Sequence, residues 1–152
     1  MRLTTKGRYA VTAMLDIALH RNRGPVSVTE VAERQAISSA YLEQLFSKLK
    51  RAGLLQSVRG PGGGYELARP LAEVRVSDII AAVGEGVDAT RCHGAADCHD
   101  GAMCLTHDLW SALSSHIDEF LSSVTLDTLL AGRDSQQAVG RHERQLIQTR
   151  HL

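Results

Sequence analysis

The spacing of apolar positions changes several times along the chain, and each change predicts an element. In "TKGRYAVTAMLDIALHRN" the residues Ala10, Val11, Met14, Leu15, Ile17, Ala18 and Leu19 are apolar nearly all round, which predicts a buried helix over about 5–21. Gly24-Pro25 breaks it. In "SVTEVAERQ", Ser27 stands three residues before Glu30, the pattern of a capping box, and predicts a short helix over about 28–35. "ISSAYLEQLFSKLKRAG" predicts a third helix with Ser38 as N-cap, Leu42, Leu45, Phe46 and Leu49 in one apolar stripe, and Gly53 as its stop. After Gly53 the period shortens to two. "LLQSVR" and "YELAR" alternate like strands, and "GPGGG" between them reads as a hairpin loop. "VSDIIAAVGE" predicts a fourth short helix at about 77–84. From Thr106 a long helix lays Leu109, Trp110, Leu113, Ile117, Phe120, Leu121 and Val124 along one face, and a short helix near 126–131 follows.

Three helices and then a hairpin predict a winged helix-turn-helix. The fold class is therefore mainly α with a small β-hairpin, extended by a long helix for dimerisation. The expected divisions are 1–83 for the DNA-binding domain, 84–107 for a cysteine loop, 108–131 for the dimerisation helix region and 132–152 for a disordered polar tail. The third helix is expected to enter the major groove. Its stripe faces the core, so Ser38, Ser39, Ala40, Glu43, Gln44, Ser47 and Lys48 remain for DNA. Ser and Gln bond base edges, Ala40 meets a thymine methyl, and Glu43 accepts from cytosine N4. Lys6, Arg8, Lys48, Lys50 and Arg51 are expected on phosphates. On the wing, Arg59 beside Gly60 and Gly62 suits a narrow minor groove. The same glycines fit no nucleotide loop: no Lys follows them, and the third place of a dinucleotide turn is Tyr65. Glu43 has no cationic neighbour three or four residues away, so its carboxylate is expected to repel phosphate unless a cytosine amine meets it.

Charge sharpens the division. Residues 1–70 hold 11 Lys and Arg against 5 Asp and Glu, whereas 71–132 hold 2 against 10. Only the front half is built to approach a polyanion. The chain of 152 residues has 43% apolar residues but no run of about 20, so no membrane partner is expected. The N-terminal stretch is broken by Asp16 and lacks a cleavage site, so it does not read as a signal peptide. A cytoplasmic location is expected, and with it metal or redox chemistry for clustered cysteines.

All three cysteines fall in "VDATRCHGAADCHDGAMCLTHDLW" as a C-x5-C-x5-C row, with His107 three residues after Cys104. Four donors within 16 residues, Cys92, Cys98, Cys104 and His107, can enclose a metal or a cluster. Structural zinc sites favour shorter cysteine spacings, and ferredoxin runs differ too. Spacing alone leaves zinc and an iron–sulfur cluster open. His107 is preferred as fourth donor over His93 and His99, which directly follow cysteines. His116, near Leu113 and Phe120, is expected to pack at the seam.

"MRLTTKGRYAVTAMLDIAL", "YLEQLFSKLKRAGLLQSVRGPGGGYEL", "VDATRC" and "CLTHDLW" together resemble the Rrf-type family of bacterial winged-helix regulators, and within it the regulators of iron–sulfur cluster assembly. The likeness runs from Met1 to about Leu130. It implies a homodimer that binds double-stranded DNA and a 2Fe–2S cluster through Cys92, Cys98, Cys104 and His107, with the cluster-assembly machinery as donor. It implies repression of cluster-assembly genes when the cluster is loaded, and regulation of other promoters by the cluster-free form as well. Nitric-oxide-sensing repressors of the same family share the cysteine row but use an N-terminal Asp from the partner subunit; position 8 here is Arg8. Members commonly carry Ser where this chain has Ala40, which puts one base contact in question. The alternatives are a nitric-oxide-sensing repressor and a zinc-stabilised one. An electron carrier would leave the basic helix unexplained, and no nucleophile–base constellation or carboxylate pair marks an enzyme.

Overall fold

The computed structural model describes residues 3–90 and 92–133. Of the predicted tail, residues 134–152 lie outside the described part. Helix α1 spans Thr5–His20, α2 Val28–Gln35 and α3 Ser39–Arg51. Strands β1, Leu55–Val58, and β2, Gly64–Leu67, follow, then α4, Val76–Ala82, and α5, His107–Ser123. A last helix, α6, covers 126–133. The architecture is a winged helix-turn-helix, mainly α with one hairpin, carrying a long extra helix.

The local chemistry explains the boundaries. Ser27 accepts from the Glu30 amide at 3.2 Å while Glu30 accepts from the Ser27 amide at 2.9 Å, closing the capping box of α2. The turn into α3 passes through Ala36 in the left-handed region, φ +54. Ser38 then caps α3 by accepting from the Tyr41 amide at 3.4 Å. Strands β1 and β2 pair antiparallel, Leu55 with Leu67 and Val58 with Gly64. The tip turns at Gly60-Pro61-Gly62-Gly63, closed by the Gly63 amide on the Gly60 carbonyl at 2.9 Å. Pro61 in second place and Gly62 at φ +72 in third form the pattern of a type II turn. The wing is fastened to the segment before α2 by two bonds between Val26 and Tyr65, at 2.9 and 2.7 Å. A Cβ on Gly64 would collide with the Val26 carbonyl, so the fastening requires a glycine there.

One core joins these elements. Met14 and Ile17 of α1 meet Leu42, Leu45, Phe46 and Leu49 of α3, with Leu54, Leu55, Val74 and Ile79 around them. The same cluster takes in Leu126, fully buried, and Leu130. The chain beyond α5 therefore returns to the front domain, held by Val76 N–H on the Val124 carbonyl at 2.9 Å and Leu126 N–H on the Val74 carbonyl at 3.0 Å. Helix α5 itself buries only His107. His116 is exposed in the single chain, as are Leu109, Trp110 and Phe120 of the same helix. Among the described residues no helix is long and apolar enough to cross a membrane.

Candidate metal centre and nucleic-acid interface

The cysteine segment is built from tight turns. In Cys92-His93-Gly94-Ala95 the Ala95 amide donates to the Cys92 carbonyl at 3.1 Å, and His93 and Gly94 both have positive φ. In His99-Asp100-Gly101-Ala102 the end residues exchange two bonds, at 2.8 and 2.7 Å, and Asp100 and Gly101 again have positive φ. Positive φ at both central positions is the signature of a type I′ turn. One such turn falls within each five-residue gap and folds the chain back, so distant thiols converge. The sequence pattern predicts only a loop over 84–107, with no turn assigned within it. The X-Gly pairs His93-Gly94 and Asp100-Gly101 were the available signal, unsupported by the alternating strands that normally flank a hairpin turn.

Around these turns, Asp88 accepts from the Thr90 amide at 2.8 Å and its hydroxyl at 2.6 Å, and that hydroxyl accepts from Gly94 N–H at 3.0 Å. Ala89 N–H donates to Ser114 Oγ at 2.7 Å, tying the segment to α5.

The donor atoms of Cys92, Cys98 and His107 lie within 4.8 Å of one another. His107 Nδ1 is 3.4 Å from Cys92 Sγ and 3.6 Å from Cys98 Sγ. His107 is 8% exposed, fixed in the first turn of α5 by its amide on the Cys104 carbonyl at 3.2 Å. Cys104 stands beside this trio: its amide donates to Cys98 Sγ at 3.1 Å, while its own sulfur lies 3.8 Å from Thr106 Oγ1. A cavity of roughly 250 Å³ opens on the group, lined by Thr90, Cys98, His99, Cys104, Thr106, His107 and Trp110. His93 and His99 are exposed and stand outside the trio.

The thiols are prepared unequally for ligation, which needs thiolate. Burial pushes Cys92 up, but the amides of Ala96 and Gly94, with Cys98 and Thr90, bring it down to about 7. The neighbouring Cys104 raises the Cys98 thiol, and Cys98 in turn lowers Cys104. Three soft donors and one imidazole beside open space fit a metal or an iron–sulfur group.

The predicted DNA face is free. Ser38, Ser39, Ala40, Glu43, Gln44 and Ser47 are exposed, and Lys48 is half-buried. Ala40, Glu43, Gln44, Ser47, Lys48 and Arg51 line one shallow groove along α3. Glu43 makes no ion pair among the described residues. Lys6, from the first turn of α1, stands against Lys48, and this second ammonium, with Arg51 nearby, holds Lys48 below the ordinary lysine range. Cations that raise one another's energy are poised for an anion. Arg8 is exposed on α1, and Lys50 donates to Ser57 Oγ at 2.9 Å. Arg59, Gly60 and Gly62 are exposed at the wing tip.

The family model Rrf2, described as "Iron-dependent Transcriptional regulator", matches residues 3–132. The chain belongs to the Rrf2 family. It is similar to the HTH-type transcriptional regulator IscR of Photobacterium profundum, with 57% identity over 146 residues, covering 96% of this chain and 85% of the relative. It is 52% identical to the IscR of Vibrio campbellii over 152 residues, covering 100% of this chain and 90% of that one. Among solved structures, T. potens IscR matches with a TM-score of 0.73 and 40% identity, over 91% of this chain and 90% of its own. CymR of B. subtilis, called the global cysteine regulator, matches with a TM-score of 0.75 and 31% identity, over 86% and 97%. This Rrf2 chain is thus a winged-helix transcriptional regulator, and its Cys/His group is a metal-site candidate.

Proposed function

We propose that this Rrf2 regulator senses iron–sulfur supply. In this reading a 2Fe–2S cluster is held by Cys92, Cys98, Cys104 and His107. The loaded protein represses cluster-assembly genes, and the cluster-free protein still regulates other promoters. The observation that carries the reading is the convergence of Cys92, Cys98 and His107 donors within 4.8 Å, with Cys104 beside them, on a DNA-reading scaffold. The open cavity next to the donors favours a group larger than a single ion. Such a cluster supplies redox-active iron that oxidants and acid can remove, with a potential raised by imidazole in place of a fourth thiolate. The chain's own part is to hold the donors: type I′ turns aim the thiols, and burial at the start of α5 fixes the His107 ring.

On the DNA side, Ser38, Ser39, Ala40, Glu43, Gln44 and Ser47 read bases. Lys6, Arg8, Lys48, Lys50 and Arg51 hold phosphates, and Arg59 with Gly60 and Gly62 enters the minor groove. A homodimer through the exposed face of α5 sets two reading helices about one DNA turn apart, roughly 34 Å or a multiple. The cell's cluster-assembly machinery serves as donor, which places the protein in the cytoplasm. Arg8 at the position where nitric-oxide sensors supply a carboxylate argues against that alternative.

Anaerobic purification followed by a visible spectrum and iron, sulfide and zinc analysis tests the reading. About two irons and two sulfides per chain, with absorption near 400 nm, are expected. Colourless protein with stoichiometric zinc would make the site a structural clasp and remove the sensing role.

A further inference from the structure

Gly7 sits in the first turn of α1, where glycine is a poor helix former. A Cβ there would collide with Oε2 of Glu85. The Glu85 carboxylate accepts from Gly7 N–H at 2.8 Å, from Thr4 N–H at 3.3 Å and from the Thr4 hydroxyl. These are the amides that a helix leaves unpaired at its N-terminus, and an anion is favoured against them. Glu85 is 78 residues away from Gly7 along the chain. Its own amide is fixed on the Ile80 carbonyl at 3.1 Å, at the end of α4.

Two neighbours give this contact a direction. On one side is Lys6, whose amide donates to Thr4 Oγ1 at 3.4 Å and whose ammonium stands against Lys48. The turn that Glu85 grips is therefore the turn that presents a phosphate contact. On the other side, the chain from Glu85 runs to Asp88 and Thr90, which lock the turn at Cys92, and to Ala89, which is tied to α5. The clasp lies between the candidate cluster loop and the candidate phosphate clamp.

We infer that Glu85, admitted by Gly7, is a positioning residue that transmits the state of the cysteine loop to the phosphate-binding first turn of α1. This rests on the reading of the chain as a cluster-dependent DNA-binding regulator. When the loop rearranges, the segment carrying Glu85 shifts, and the α1 turn with Lys6 shifts with it. Without the carboxylate the loop rearranges alone.

The test compares affinities of loaded and cluster-free full-length protein for one duplex, selected from random sequence by the loaded wild type with counter-selection against the cluster-free form, at one salt concentration. In Gly7→Ala and Glu85→Ala the ratio of the two affinities is expected to move toward one by at least about threefold, with iron content and visible spectrum unchanged. Glu85→Gln, which keeps an acceptor oxygen, is expected to retain part of the ratio. In the wild type, amide hydrogen exchange of residues 4–9 is expected to differ between loaded and cluster-free protein, a readout that needs no variant to fold. A wild-type ratio above one that both variants retain overturns the clasp and leaves the function standing. So does exchange at residues 4–9 that is indifferent to the cluster. Iron lost from the variants in step with affinity would place Glu85 at the metal site and also overturn it. A wild type whose affinity does not respond to the cluster overturns the function, and the clasp with it.

Discussion

Asp16 shows how much one residue can carry. It is 1% exposed, on an otherwise apolar face of α1. Arg34 of α2 grips both its oxygens, at 2.7 and 3.0 Å, Gln35 donates to it at 2.7 Å, and His20 lies 3.6 Å away. Burial pushes its carboxyl up, but Arg34, Gln35 and His20 together outweigh burial and hold it below the usual carboxylate range. A depressed folded-state value means that the unfolded chain takes up the proton first as pH falls. The pair's stabilisation is therefore complete above the unfolded value of about 4 and is lost as pH falls through that value toward the folded one. Asp16→Asn is expected to lower stability by about 3 kcal/mol at neutral pH, since it leaves Arg34 without its counter-charge. The loss should shrink in denaturant titrations below about pH 4. An equal loss at neutral and acid pH would contradict this account. The sequence offered no sign of the pair, because Arg34 and Gln35 stand 18 and 19 residues from Asp16 and meet it only when α1 crosses α2.

At the scale of elements, α5 stands apart. Leu109 is 59% exposed, Trp110 39% and Phe120 65%. Helix α5 packs on α4, and Leu113, Ile117 and Leu121 are half-buried. Leu109, Trp110 and Phe120 are left uncovered by their own chain, and a second α5 would offer the same residues in return. Phe120→Glu is expected to weaken self-association by about 2 kcal/mol or more, roughly 30-fold in Kd. Sedimentation equilibrium reads the change; an unaltered association constant would move the interface elsewhere. The helices whose edges carry chemistry were legible. Ser27 with Glu30 marked α2, and Ser38 with the stripe from Leu42 to Leu49 marked α3. The turns of the cysteine segment were not, because their two central residues act through backbone angles and leave no periodic pattern. The left-handed Ala36 was hidden for the same reason: glycine or asparagine usually announces that conformation.

Over the whole molecule, a basic front half carries the candidate DNA face and an acidic back half carries the Cys/His group and the long helix. The halves are not independent. Leu126 and Leu130 complete the front core, Glu85 grips the first turn of α1, and Ala89 is held by Ser114. None of these contacts was foreseeable, since each joins segments far apart in sequence. Cys92, Cys98, Cys104 and His107 were picked out because their residue types and spacing are rare by chance. The contact of Glu85 with the first turn of α1 came only with the packing.

The central claim is that occupancy of the Cys/His site changes DNA reading. Its most direct test is fluorescence anisotropy on a labelled duplex carrying a cluster-assembly promoter site, with anaerobically loaded and chelator-stripped protein at one salt concentration. The account predicts tighter binding by the loaded form, by about fivefold or more, the lower end of typical coupling between sites. Equal affinities for loaded and stripped protein would contradict it.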